Sequence, residues 1–230
     1  AYNPLTEDQR TFLTEDEYAK MQANSERMQT LIEGETLIKA AEKAIKSLPA
    51  DTKIKATDSK KLETAQDAYD KVKNSEDGLT IDPKLAEKFE TSRTAYYAYQ
   101  QQAEDFRSEY LDALPENTNA VTAEYETAIP AAQTAYKALS KNVQSFIEKA
   151  EVSHLKACEK TLKKNQSAAG KVDKLIAKLP ADVSAEFTAK DEKAINAAWK
   201  AYSKLTSEQK TFLEDEQHLL DCYNKAYPEG

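Results

Sequence analysis

Apolar residues recur along this chain at alternating steps of three and four, the spacing that places them on one face of an α-helix. Ile38, Ala41, Ile45 and Leu48 make one such stripe, closed by Pro49, which cannot continue a helix interior. Leu62, Ala65, Tyr69 and Val72 make a second, with Thr57 or Asp58 as the N-cap before it. A third runs through Leu85, Phe89, Ser92, Tyr96, Tyr99, Ala103, Phe106, Tyr110 and Ala113, with Asp82-Pro83 as N-cap and first helical residue. No glycine or internal proline interrupts it before Leu114, which predicts one continuous helix of about 33 residues, near 50 Å at the α-helical rise. The second stripe then returns twice in register, as Ile129, Ala132, Tyr136, Leu139 and as Ile195, Ala198, Tyr202, Leu205. A stripe that keeps its register is core, and its tyrosine packs the ring inward with the hydroxyl at the edge.

The whole pattern is periodic. Ala201-Tyr-Ser-Lys-Leu-Thr-Ser-Glu-Gln-Lys-Thr-Phe-Leu213 copies Ala1-Tyr-Asn-Pro-Leu-Thr-Glu-Asp-Gln-Arg-Thr-Phe-Leu13, and Ala135 to Ile147 is a looser copy. The tyrosines at 2, 69, 136 and 202 are spaced by 67, 67 and 66 residues, and Leu-Pro recurs in phase at 48–49, 114–115 and 179–180. A fixed period marks a repeat array. Three amphipathic helices per period cannot stand alone, and three stripes facing inward close a bundle. The expected fold is all-α: tandem three-helix bundles joined end to end by long shared helices, similar in architecture to spectrin repeats. The expected divisions are residues 1–33, the C-terminal part of a truncated repeat, then bundles at 34–99, 100–166 and 167–230.

Within this frame Thr6 with Gln9 and Thr206 with Gln209 form capping boxes that start the third helix of their repeats, the last ending near Ala226. The helix from Thr6 heads for Gly34, whose cost of about 1 kcal/mol against alanine leaves a bend or break open there. Pro130 predicts a kink or restart, Ser140 begins a helix reaching Cys158, Lys160–Lys171 reads as a polar bridge, and Thr188 caps the next helix. Lys73–Ile81 is an insertion of the first repeat alone, with Leu79 and Ile81 placed to pack on the bundle end.

Composition agrees with helices. Only 4 Gly and 7 Pro interrupt 230 residues, and 40% hydrophobic content suits narrow cores. A net charge of −8 and a pI near 5.1 argue against a nucleic-acid partner, which needs clustered lysine and arginine. No apolar run is long enough for membrane insertion. No signal peptide or anchor is visible and residue 1 falls inside a repeat, so an excised piece of a longer protein is favoured over a cytosolic chain.

Chemistry is sparse. His154-Leu-Lys-Ala-Cys158 and His218-Leu-Leu-Asp-Cys222 each place His and Cys on one helix face, which suits two metal ligands or a thiolate–imidazole pair. A closed zinc site needs four ligands, and equivalent places in successive repeats do not converge. The preferred reading is a free cysteine filling a small core slot. The same separation argues against a Cys158–Cys222 disulfide and leaves Cys222 open to pairing with another chain. The acidic insertion around Gly78 lacks the spacing of a calcium loop, since Lys84 stands where an acidic ligand belongs. Trp199 is expected to seal a bundle. Tyr97 lies off its stripe beside Arg93 and Gln101, and these three are the candidate ligand-binding residues. No catalytic residue, metal or cofactor is expected, and the chain is read as not an enzyme.

One segment also suggests a family. Leu175-Ile-Ala-Lys-Leu-Pro, Thr188-Ala-Lys-Asp-Glu-Lys-Ala-Ile and Ala-Trp-Lys-Ala-Tyr202-Ser-Lys-Leu-Thr-Ser-Glu-Gln-Lys210 resemble helical repeats of cell-wall-attached and S-layer-type surface proteins of Gram-positive bacteria. The resemblance is strongest in the third repeat and weakest in the first. It implies an extracellular, cell-surface location and a stalk or spacer role, presenting other domains of the same polypeptide away from the cell wall. The alternative is an adhesive module for a glycan, a wall polymer or a host protein.

Overall fold

The computed structural model describes residues 6–10 and 12–228, and every described element is helical. Tyr2 and Leu5 of the first copy lie outside the described residues. The chain divides into two compact units, Ala1–Gln101 and Gln102–Gly230.

In the first unit the one-turn helix α1 (Glu7–Arg10) starts at the Thr6–Gln9 capping box. Helix α2 (Glu15–Lys46) starts at a second box, Thr14 with Glu17. It runs 32 residues through Gly34, so no break occurs there. The reason is packing: the missing side chain makes room for Leu79, whose Cδ2 lies 2.9 Å from where a Cβ would stand. Two single-turn 3₁₀ segments, Asp51–Lys53 and Ala56–Asp58, lead to α3 (Ser59–Lys73). Asp58 is its N-cap, although its carboxylate turns back to the Lys55 N–H and to Lys61. The inserted loop turns at Gly78, whose φ of 66° is the left-handed conformation that glycine adopts without strain. Helix α4 (Pro83–Phe106) then begins where Asp82 Oδ1 accepts the N–H groups of Lys84 and Leu85.

The core of this unit gathers Ile45 and Leu48 of the first helix, Leu62 and Ala65 of the second and Phe89 of the third, with Ile81 from the insertion packed against it. Tyr69 stacks on Phe89 at 4.7 Å between ring centres. Ion pairs such as Glu35–Lys39 and Glu42–Lys46 lie on the water-facing side of α2, where solvent screens them.

The second unit takes the end of α4 into a π-turn, Arg107–Leu111, which carries the helical run nearly as far as the stripe predicted. After Leu114-Pro115 come the 3₁₀ segments Thr118–Ala120 and Ala123–Tyr125, then α5 (Ala128–Ala138). Pro130 sits in the first turn of α5, where its missing N–H leaves no bond unmade, so it marks a start and not a kink. Ser140 caps only the single turn α6 (Lys141–Gln144), and the long helix α7 (Lys149–Ile176) begins afresh at Glu148. The last repeat does the same: α8 (Ala189–Tyr202) is capped by Thr188, Thr206 caps the single turn α9 (Ser207–Lys210), and Asp215 caps α10 (Glu216–Ala226).

Two expectations are therefore corrected. In the N-terminal copy and in the second and third repeats the long third helix starts at a second cap, at Thr14, Glu148 and Asp215, because the first cap fixes only one turn. In the first repeat α4 starts directly at Asp82. Lys160–Lys171 is no bridge: α7 passes through it unbroken, with Leu162, Asn165 and Ala169 buried. Lysines dominate that stretch because only a narrow stripe of this helix faces inward.

Helix α7 serves two successive repeats. Its first half packs with α5, and its second half joins α8 and α10 in a core of Val172, Ile176, Ile195, Ala198, Leu219 and Cys222. Polar contacts fix that junction. Buried Asn165 donates to the Val121 carbonyl at 2.9 Å and accepts from Gln209 at 3.4 Å, while the Ala123 N–H donates to Thr211 Oγ1 at 2.9 Å.

Candidate functional site

The two His-Leu-x-x-Cys motifs belong to a device at the corner between the first and second helices of each repeat. A chain leaving a helix through Leu-Pro carries carbonyls without intrahelical partners. In the first repeat the Pro49 carbonyl accepts from Ser92 Oγ at 3.1 Å, and the Lys46 carbonyl accepts from Lys88 Nζ at 3.1 Å. In the second the Pro115 carbonyl takes His154 Nε2 at 2.9 Å. In the third the Cys222 thiol points at the Pro180 carbonyl at 4.0 Å. Lys88/Ser92, His154/Cys158 and His218/Cys222 are thus one pair of positions, i and i+4, on α4, α7 and α10. The signal in the sequence was a nearly constant distance from Leu-Pro, 43 residues to Ser92 and 42 to Cys222, with His154 reaching the Pro115 carbonyl from one turn earlier, at 39. It stayed hidden because the side chains differ while the carbonyl they serve does not.

This geometry disposes of a thiolate–imidazole pair at His154. A carbonyl only accepts, so His154 Nε2 carries the proton that bonds Pro115 and cannot also take the proton of Cys158, 3.6 Å away. Both cysteines are free and fully buried, and desolvation pushes both thiols up, Cys222 further through Asp221 and Asp215. An activated cysteine needs the opposite shift. Among the described residues no group of three or more His, Cys, Asp or Glu side chains is gathered for a metal ion.

Arg93, Tyr97 and Gln101 lie along one face of α4, at i, i+4 and i+8. Tyr97 is 58% exposed and meets Tyr96 edge-on at 5.6 Å, and Tyr96 in turn packs on the core. Arg93 is held by α3 and α4: Nη2 pairs with Glu90 at 2.6 Å, Nη1 donates to Gln66 at 3.3 Å, and the guanidinium covers Phe89. The face therefore presents one exposed aromatic ring, with its cation already engaged. Trp199 stacks on Tyr223 at 3.8 Å and borders the third core, so it packs within its bundle.

Two further polar groups escaped the sequence reading. Arg107 binds Glu151 through Nε at 2.7 Å and through Nη2 at 3.2 Å, pairs with Glu104, and donates to the Phe146 carbonyl, pinning the turn between α6 and α7. Burial raises the Glu151 pKa, but the bonds from Arg107 and from the Glu148 N–H outweigh it and leave the carboxyl below its usual range. Tyr202 donates its hydroxyl to Glu216 Oε1 at 2.5 Å, under a ring contact from Lys210, and the neighbouring carboxylate holds its pKa up at about 12. A groove of about 490 Å³ beside α8 has Val172 and Leu205 in its lining and Lys171, Lys200 and Lys204 around them.

No protein-family model, curated protein or solved structure matches this chain. No helix among the described residues is long and apolar enough to cross a membrane.

Proposed function

We propose that this chain is a non-catalytic spacer, a module of an extracellular bacterial surface protein that holds other domains away from the cell wall. The finer architecture proposed with it is the end-to-end array of three-helix bundles at residues 34–99, 100–166 and 167–230. The observation that carries this reading is α7, a single helix that closes one repeat and opens the next without a linker. A junction made of helix resists bending, which is what a spacer requires. The conserved geometry of the Leu-Pro corner adds support: where chemistry was suspected, the side chains satisfy backbone carbonyls instead.

Small-angle X-ray scattering tests the array. Three bundles and a half repeat laid end to end span about 150 Å by helix rise and give a radius of gyration near 40 Å. A folded-back chain of this length gives about 17 Å. The smaller value would refute the spacer. A second reading, an adhesive module for a glycan, wall polymer or host protein, is favoured only by the exposed ring of Tyr97 beside Gln101 and Arg93. Binding to wall fragments or glycans that is lost in Tyr97→Ala would establish it.

A further inference from the structure

The N-terminal half of α2 carries an apolar face that its own unit leaves open. Met28, Leu31 and Ile32 are 56%, 65% and 52% exposed, and Met21, Asn24 and Met28 line a surface groove of about 370 Å³ with Lys20. The repeat states what such a face is for. Met21, Asn24, Met28 and Leu31 stand as far beyond the N-cap Thr14 as Leu155, Cys158, Leu162 and Asn165 stand beyond the N-cap Glu148. Those four residues of α7 are buried to 4% exposure or less. What covers them is the Leu-Pro corner and α5: His154 meets the Pro115 carbonyl and Asn165 the Val121 carbonyl. Lys20 and Asn24 occupy the pair of positions held by His154/Cys158 and by Lys88/Ser92, so they carry hydrogen-bonding groups for the same two carbonyls. The cap ahead of this face also repeats, since Thr6 with Gln9 precedes α2 as Thr206 with Gln209 precedes α10.

We propose that the open face of α2 takes the first two helices of a further repeat of this same type, a helix pair joined through a Leu-Pro corner. Met21 and Met28 enter the core between the two helices. Lys20 and Asn24 donate to the corner carbonyls, and the segment leading into the second helix lies over Leu31, as Val121 lies against Asn165. The equivalence of the repeats carries this proposal, so a scattering result that sinks the spacer leaves it standing.

The test is an extended chain with a copy of residues 100–139 in place of residues 1–5, so that its last leucine precedes Thr6 as Leu139 precedes Ser140. Hydrogen exchange is followed by mass spectrometry in the extended and original chains. The expected result is that amides between residues 20 and 32 slow by about 100-fold or more on extension, towards the rates of the matching stretch of α7. Met28→Asp should abolish the slowing in the extended chain while leaving the unfolding midpoint of the original unchanged, because the side chain is exposed there. A second extension, with residues 167–205, guards against a copied pair that does not fold in its new place. Unchanged exchange in both extended chains overturns the proposal. So does an original chain that dimerises at micromolar concentration with these amides already protected, which would assign the face to a second copy.

Discussion

Replacing Tyr202 by phenylalanine removes one hydroxyl and leaves the ring in place. The hydroxyl donates to Glu216 at 2.5 Å, from a side chain only 9% exposed. A hydrogen bond to a charged acceptor contributes about 1.5–3 kcal/mol. The raised pKa, whose first cause is this same bond, gives a second figure. Displacement from the ordinary value of 10 to about 12 corresponds to about 2.7 kcal/mol of preference for the protonated hydroxyl in the folded state. Glu216 is half-buried and regains water when the hydroxyl is gone, which places the expected loss near 2 kcal/mol. Trp199 is the sole tryptophan and its ring centre lies 5.2 Å from that of Tyr202, so its fluorescence reports urea unfolding at this place. The pH dependence supplies the sharper control. Because the folded pKa lies above the unfolded one, the contribution is complete below pH 10 and disappears as pH rises through about 12. The gap between wild type and Tyr202→Phe should therefore be about 2 kcal/mol at pH 7 to 9 and shrink steadily above pH 10, while effects of lysine deprotonation cancel between the two proteins. A gap below about 0.5 kcal/mol at pH 7, or one that stays constant to pH 12, would refute the reasoning.

Two other outcomes follow from the Leu-Pro corner. Ser92→Ala should cost about 1 kcal/mol in urea unfolding followed by circular dichroism, for one lost bond to the Pro49 carbonyl, while Ser92→Cys should cost less because cysteine fills this slot in the other repeats. A neutral Ser92→Ala would show that the corner does not depend on its clamp. Cys158 and Cys222 should resist an aromatic disulfide reagent at pH 8 in the folded protein and react at once in denaturant; rapid reaction of either in the folded state would contradict both its burial and its raised pKa.

The hydrophobic stripe, the repeat period and the caps at Thr6, Asp82, Thr188 and Thr206 were all legible in the amino-acid order, because helix spacing and capping act over a few residues. So was the placement of Ile81 against its bundle core. What only the tertiary structure decided involves partners about forty residues apart. Local rules make Gly34 a weak point, yet Leu79 from a distant loop fills the space above it and α2 runs on. Composition makes Lys160–Lys171 look like a linker, yet Leu162, Asn165 and Ala169 are enough to bury one edge of a helix whose other sides face water. The His-Leu-x-x-Cys motif looked like a ligand pair because spacing reveals which residues share a face. It does not reveal what they face, and here that is the carbonyl of a proline brought to them by the packing of the bundle.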